Sequence, residues 1–175
     1  MSITYAQNVG LVKMPPQVEI DGIIYRTVEV NGLVWIAEDL KNNVGSYQTY
    51  NGRKYYKLYG SFVAIDSILP TGWRRAVYED YLNLVSYYTG HLEKLCSTSG
   101  WDGLGTNESG LAFEQTGVYP QYSVRNTENS YHGISNVGFC HELSISSNTI
   151  VSNFITPSSW STNGGYAPIR VCRDA

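Results

Sequence analysis

Charge is what this sequence has least of. Only 15% of its residues are Asp, Glu, Lys or Arg, against about 25% in an ordinary soluble domain. The shortage affects both signs. Twelve basic residues face 15 acidic ones, for a formal net charge of −3, and no run of Lys or Arg occurs. A protein that tracks phosphates needs a basic stripe, so nucleic acid is not an expected partner. Long apolar runs are missing as well. No window approaches the roughly 18 apolar residues of a spanning helix, and no membrane insertion is expected. Cysteine is scarce, with Cys96, Cys140 and Cys172 alone and no C-x-x-C spacing. An odd count leaves at least one thiol unpaired, whereas chains matured in an oxidising space usually pair them. Folding in a reducing cytoplasm is the expectation, with Cys140 and Cys172 left open as either a bridge or two thiols.

What the chain does hold is apolar and aromatic. Hydrophobic residues make up 42% and aromatics 13%, with 15 Tyr and 17 Gly, which rules out disorder for the bulk of it. Its 175 residues fit one domain, or one domain plus an arm. A chain of this size buries roughly 70% of its unfolded surface and needs no staple. Gly, Tyr, Ser, Asn and Thr together suit strands, turns and loops better than helices.

The first 16 residues lack the positively charged and apolar regions of a secretory signal. They carry no charge before Lys13 and end in Pro15-Pro16, which forbids helix and favours extended backbone. We read residues 1–16 as an arm outside a domain of 17–175. It is either a frayed tail or a docking strand for a neighbouring subunit. Ile3, Tyr5, Val9 and Leu11 are the residues that would dock.

Three strands follow. Asp21-Gly22 and Asn31-Gly32 separate β-rich runs at 18–20, 23–30 and 33–37, the strongest short-range signal for hairpins with type I′ turns. In the second run Tyr25, Thr27 and Glu29 alternate with Arg26, Val28 and Val30, predicting a sheet with one partly wet face. Helical spacing then predicts a helix near 57–66, broken at Pro70-Thr71-Gly72. A second helix lies in 76–90, with Tyr78, Tyr81, Leu82, Val85 and Tyr88 on one face. Glu79 and Asp80 read as its solvated first turn and Gly90 as its cap. Beyond residue 96 the pattern is turn-rich, with short β-like pieces at 111–113, 119–124, 138–145, 150–155 and 167–171. Two helices framed by antiparallel strands, then long loops and a closing strand, make an α+β domain.

Catalytic patterns are weak. His91, His132 and His141 fall in unrelated segments, and His141-Glu142 lacks the second His of a zinc helix. Asp102, Asn107 and Glu108 in a Gly-rich loop are the one calcium candidate, though they miss the alternating twelve-residue pattern. No metal or other cofactor is otherwise expected. No nucleophile elbow is present, and "GLGTNESG" lacks the Lys-Ser/Thr ending of a phosphate loop. The expectation is no enzyme. Residues 119–166 instead mix Tyr and Trp with Ser, Asn and Gly, as recognition surfaces do. Tyr122, Tyr131, His132, Trp160, Asn163 and Tyr166 are the candidate binding residues on surface loops.

Six ordered blocks carry a resemblance: "DGIIYRTVEVNGLVWIAEDL", "GRKYYKLYGSFVAID", "LPTGWRRAVYEDYLNLV", "STSGWDGLGTNESGLAF", "ISNVGFCHELSISSN" and "YAPIRVCRD". Over about residues 18–174 they resemble the Fibrobacter succinogenes major paralogous domain family. In the first block, Asp21, Gly22, Tyr25, Thr27, Val28, Trp35, Ala37, Glu38 and Leu40 match the family pattern. The resemblance implies a C-type-lectin-like fold, as in the variable proteins of diversity-generating elements. Departures are clear. The family Cys before Pro-x-Gly-Trp, which pairs with one near the carboxyl end, corresponds here to Leu69, while Cys172 remains. Arg75-Ala76 replaces the usual Leu-Pro. The Glu-Pro-Asn and Trp-Asn-Asp motifs of sugar-binding lectins are absent, so calcium-dependent lectin activity is not implied. The formylglycine-generating enzymes share a related fold, but they use reactive cysteines and a metal, and Cys96 and Cys140 lack a partner motif.

The expected function is therefore a non-enzymatic component of a bacteriophage virion, in a fibre, the tail or a head decoration. It would present a lectin-like domain for host attachment. Expected partners are other virion proteins and a host glycan or surface protein, with a homotrimer as the assembly. The alternative is a bacterial cell-surface or secreted binding domain of the same family.

Overall fold

The computed structural model describes residues 16–50, 53–57, 60–114, 130–134, 140–147, 149–155 and 166–175. Its first elements are β1 (Gln17–Ile20), β2 (Ile23–Val30) and β3 (Leu33–Ile36), paired antiparallel. The turns have Asp21 at φ +46° with Gly22 at +77°, and Asn31 at +48° with Gly32 at +77°. Two consecutive positive φ values define the type I′ turn, whose twist matches the strands it joins. They set the register: Ile20 faces Ile23 and Val30 faces Leu33.

This hairpin pair is the start of a five-stranded sheet. The closing strand β11 (Val171–Asp174) inserts between β3 and β6 (Arg74–Arg75), giving the order β1-β2-β3-β11-β6. Each face carries a core toward β3 and β11, and one stays partly wet along β2 as its alternation predicts, with Ile24 and Arg26 exposed on the Val30 side. Trp35 and Cys172 enter one core with Val30, while the next residues along, Ile36 and Val171, enter a second core with Ile20 and Tyr25. The apparent alternation is real but changes phase. Tyr25 and Thr27 are buried on one side, and Val30 on the other.

Helix α1 spans Phe62–Ile68, later than the periodicity suggests. Residues 53–57 belong instead to β5 (Arg53–Lys57), which lies between β4 (Tyr47–Tyr50) and β10 (Tyr166–Ala167). Tyr55 and Tyr56 are buried there, and strand pairing overrides a period that mixed two elements. α1 ends at Leu69, held extended (ψ 135°) before Pro70 as the proline ring requires. Phe62 and Ile65 bury its inner face in the second core.

Helix α2 spans Tyr78–Tyr87 and packs Tyr81 and Leu84 into the first core. Leu82, assigned to the apolar face, is exposed, and Leu84 takes that place. Val77 precedes the helix and has no side-chain oxygen to cap it. Asp80 reaches back and accepts the Val77 amide at 2.7 Å. Gly90 follows at φ +80°, past the Tyr88 cap. A third sheet, in the order β7-β8-β9, comprises β7 (Ser130–Ile134), β8 (Cys140–Ser146) and β9 (Thr149–Ile155). Leu143 of β8 reaches the first core. Two helices and three antiparallel sheets among the described residues make the α+β class. Sequence reading missed β4, β5, β6 and β7, and gave residues 167–171 as one strand where β10 and β11 are separate.

Candidate binding surface

Residues 88–114 leave the five-stranded sheet after α2 as an excursion whose base is closed by its own amides. Thr106 N–H donates to Glu93 O at 2.9 Å, Asn107 N–H to Cys96 O at 2.9 Å and Ser109 N–H to Lys94 O at 3.0 Å. Phe113 N–H donates to Leu95 O, and Ser97 N–H donates back to Phe113 O. Trp101 is fully buried beneath this base and donates its indole N–H to Phe113 O at 2.8 Å. Trp101, Asp102, Asn107 and Ala112 all sit at positive φ, a state that side chains other than glycine occupy only where surroundings over-determine it. A Cβ on Gly105 would stand 2.0 Å from Ser97 O, so only glycine allows the two backbones to approach so closely.

Arg170 fastens this base to the sheet. It is 1% exposed. Its Nε bonds Asp39 Oδ1 at 2.6 Å, and Nη1 donates to Ile36 O at 3.1 Å and Leu111 O at 2.8 Å. The guanidinium lies 4.8 Å from the Phe113 ring centroid. One cation thus joins β3, the excursion and the approach to β11. A buried charge is tolerated only with such partners. Sequence reading passed over it, though an Arg between Ile169 and Val171 in an apolar run is a signal that a buried partner exists.

The candidate binding residues fall in three places. Tyr122, Trp160 and Asn163 lie outside the described residues, as do Ile3, Tyr5, Val9 and Leu11 of the arm. Tyr131 and His132 lie in β7, in register with Leu143 and Glu142 of β8, so strand backbone carries them where a loop was expected. Tyr166 is not on a surface loop. It sits in β10 opposite Lys57 and is 6% exposed, because pairing with β5 turns it inward.

The calcium triplet is not assembled. Asn107 Oδ1 accepts the Ala112 amide at 2.8 Å, and Glu108 pairs with Lys94 at 3.0 Å. No group of three His, Cys, Asp or Glu side chains converges among the described residues.

Both described thiols are buried and unbridged, so the Cys140–Cys172 bridge that the sequence left open is not formed. Burial pushes the Cys96 thiol up to about 12. Burial pushes Cys172 higher still, reinforced by the Asp80 carboxylate and only partly opposed by Arg74. Neither supplies a thiolate near neutral pH. Asp80 is 5% exposed, a correction to its reading as solvated. It holds the Arg74 guanidinium through both oxygens, and Arg74 Nη1 also approaches Cys172 Sγ at 3.3 Å. Leu69, where the resemblance puts the partner cysteine, packs against the second core, whereas Cys172 lies in the first. No family model matches the chain, and comparison with curated proteins and with solved structures returns no similar protein.

Proposed function

We propose that this chain is a non-enzymatic binding component of a bacteriophage virion. In this reading it belongs to the major paralogous domain family that its sequence resembles, has a C-type-lectin-like fold, and assembles as a homotrimer. The reading rests chiefly on the insertion of β11 between β3 and β6. That clasp closes the five-stranded sheet, and Arg170 and Trp101 hold the excursion after α2 against it. Rigid scaffolds that display loops are how recognition domains are built. The Tyr-, Ser- and Asn-rich composition of 119–166 suits contact with a host glycan or surface protein. Two buried, protonated thiols fit a protein made in a reducing interior.

Two measurements test this. Mass spectrometry of purified particles from the encoding phage should find the chain in stoichiometric amount, and the isolated chain should slow adsorption of those particles to host cells. Absence from particles, together with recovery of the chain from bacterial envelopes, would replace this reading with the cell-surface alternative.

A further inference from the structure

The outer edge of the five-stranded sheet is β1, which pairs on one side only, with β2. Residues along an antiparallel pair alternate between hydrogen-bonded and non-bonded positions. Thr27 N–H donates to Pro16 O at 2.8 Å, so the Pro16 carbonyl faces β2. Period two turns the main-chain groups of Val18 and Ile20 the same way, opposite Tyr25 and Ile23. The N–H and C=O groups of Gln17 and Glu19 therefore point outward, and among the described residues no strand pairs with them.

The side chains follow the pleat. Ile20 is buried in the second core and Val18 packs against that core, while Gln17 and Glu19 are exposed on the opposite face. A free edge is a template for strand addition, and proteins blunt it with lysine, proline or a bulge. Gln17–Ile20 has none of these, and its register with β2 is unbroken. Its shortness and the single Glu19 charge are what guard it. A strand that adds here needs an apolar row beside Val18 and Ile20 and a polar row beside Gln17 and Glu19.

We propose that the occupant is the arm of a neighbouring protomer, with residues 3–11 adding as a strand to the open edge of β1. The arm has the required alternation. Ile3, Tyr5, Val9 and Leu11 hold odd positions, with Thr4, Ala6, Asn8 and Gly10 between them. Its length exceeds the four residues of β1. A neighbour's arm suits the edge better than the chain's own, because Pro15-Pro16 joins the arm directly to Gln17. Proline restricts its predecessor to extended backbone, so the junction continues the line of β1, and a return beside the same strand needs a further turn before Pro15. Arm on edge is a head-to-tail contact, which in a trimer closes into a ring. The inference rests on the homotrimer of the virion reading and names the contact that holds it.

The test uses the full chain and two variants, read by sedimentation and amide hydrogen exchange. Glu19→Pro removes an outward N–H and no bond to β2, as an edge position permits. The trimer should be lost while the Val18 and Tyr25 amides stay protected, which separates lost docking from lost fold. Tyr5→Asp combined with Val9→Asp puts charge in the apolar row of the arm and should lose the trimer as well. In both variants the Gln17 amide should exchange faster than in the parent. Each variant alone should be monomeric, yet their mixture should form a two-chain species, because the intact arm of the first fits the intact edge of the second. A trimer that survives Glu19→Pro overturns the proposal, as does self-association that survives the arm substitutions, the result of pairing β1 with β1 of a second copy. A monomeric parent overturns it too, whether or not its own arm protects Gln17. Arm docking in a chain that is absent from virus particles removes the virion reading alone, and a monomeric chain found in particles removes this inference alone.

Discussion

The two faces of the five-stranded sheet each carry a core but treat polar groups differently. On the second-core face the polar groups are closed into a network. The Tyr25 hydroxyl donates to Asn42 Oδ1 at 2.8 Å and accepts the Lys41 amide at 2.7 Å. Asn42 donates to Ile20 O at 2.7 Å, and the Tyr56 hydroxyl donates to Asn42 O at 2.8 Å. On the first-core face the Trp35 indole N–H is buried with no acceptor among the described residues, and the Arg74–Asp80 ion pair stands at the margin. A satisfied buried network rigidifies a core, whereas unsatisfied or uncompensated groups cost stability and persist where they do something else. The contrast gives the second face the larger share of the polar contacts that hold the fold.

Alkaline pH should break both faces in sequence. Cys96, with an ordinary value of 9.0, is raised to about 12, and Tyr25, with an ordinary value of 10.0, is also raised to about 12, both chiefly by burial. Below those ordinary values the folded and unfolded chains are equally protonated and full stability is present. Above them the unfolded chain releases protons that the folded chain keeps, so stability falls as pH rises toward about 12. Urea midpoints measured across this range should decline. Cys96→Ala should reduce the loss that begins near 9.0, which Cys172 shares, and Tyr25→Phe the loss that begins near 10.0, which Tyr56 shares.

At neutral pH the largest single-residue effect should come from Arg170, which touches Asp39 and Ile36 as well as Leu111 and Phe113. Arg170→Leu removes a buried cation from the Asp39 carboxylate and from two main-chain oxygens, and should cost about 3–5 kcal/mol in urea unfolding. A loss below ~1 kcal/mol would mean that the excursion is not fastened through this residue. Tyr25→Phe should cost less, about 1–3 kcal/mol, because it leaves partners in the network unsatisfied. Asp174→Asn on the other face should stay within about 0.5 kcal/mol of the parent, as exposed positions usually do. If Tyr25→Phe proves as harmless as Asp174→Asn, the division of labour between the faces fails.

The legible parts of this fold are those that neighbouring residues settle. Asp21-Gly22 and Asn31-Gly32 announced their turns because positive φ is a property of the residue itself. The region of α2 was legible because its apolar spacing is intrinsic to one element. The start of α1 was not legible, because Tyr55 to Ile65 crosses from a strand into a helix and no local rule marks the seam. Tyr166 looked like a recognition residue from its Ser-, Asn- and Gly-rich surroundings, yet its pairing with Lys57 draws it inward. The Arg74–Asp80–Cys172 contact and the Arg170 clamp join residues as far as 134 positions apart, and a composition window does not register such distances.

By itself the sequence determined the opening hairpins, the α+β class and the scarcity of charge, since each follows from turn chemistry, periodicity or counting. Tertiary structure alone decided that β11 lies between β3 and β6, that each sheet face carries its own core, and that Arg74 and Asp80 meet beside Cys172. The physical reason is that strand order and facing depend on long-range pairing. There a single step of register moves every side chain to the opposite face.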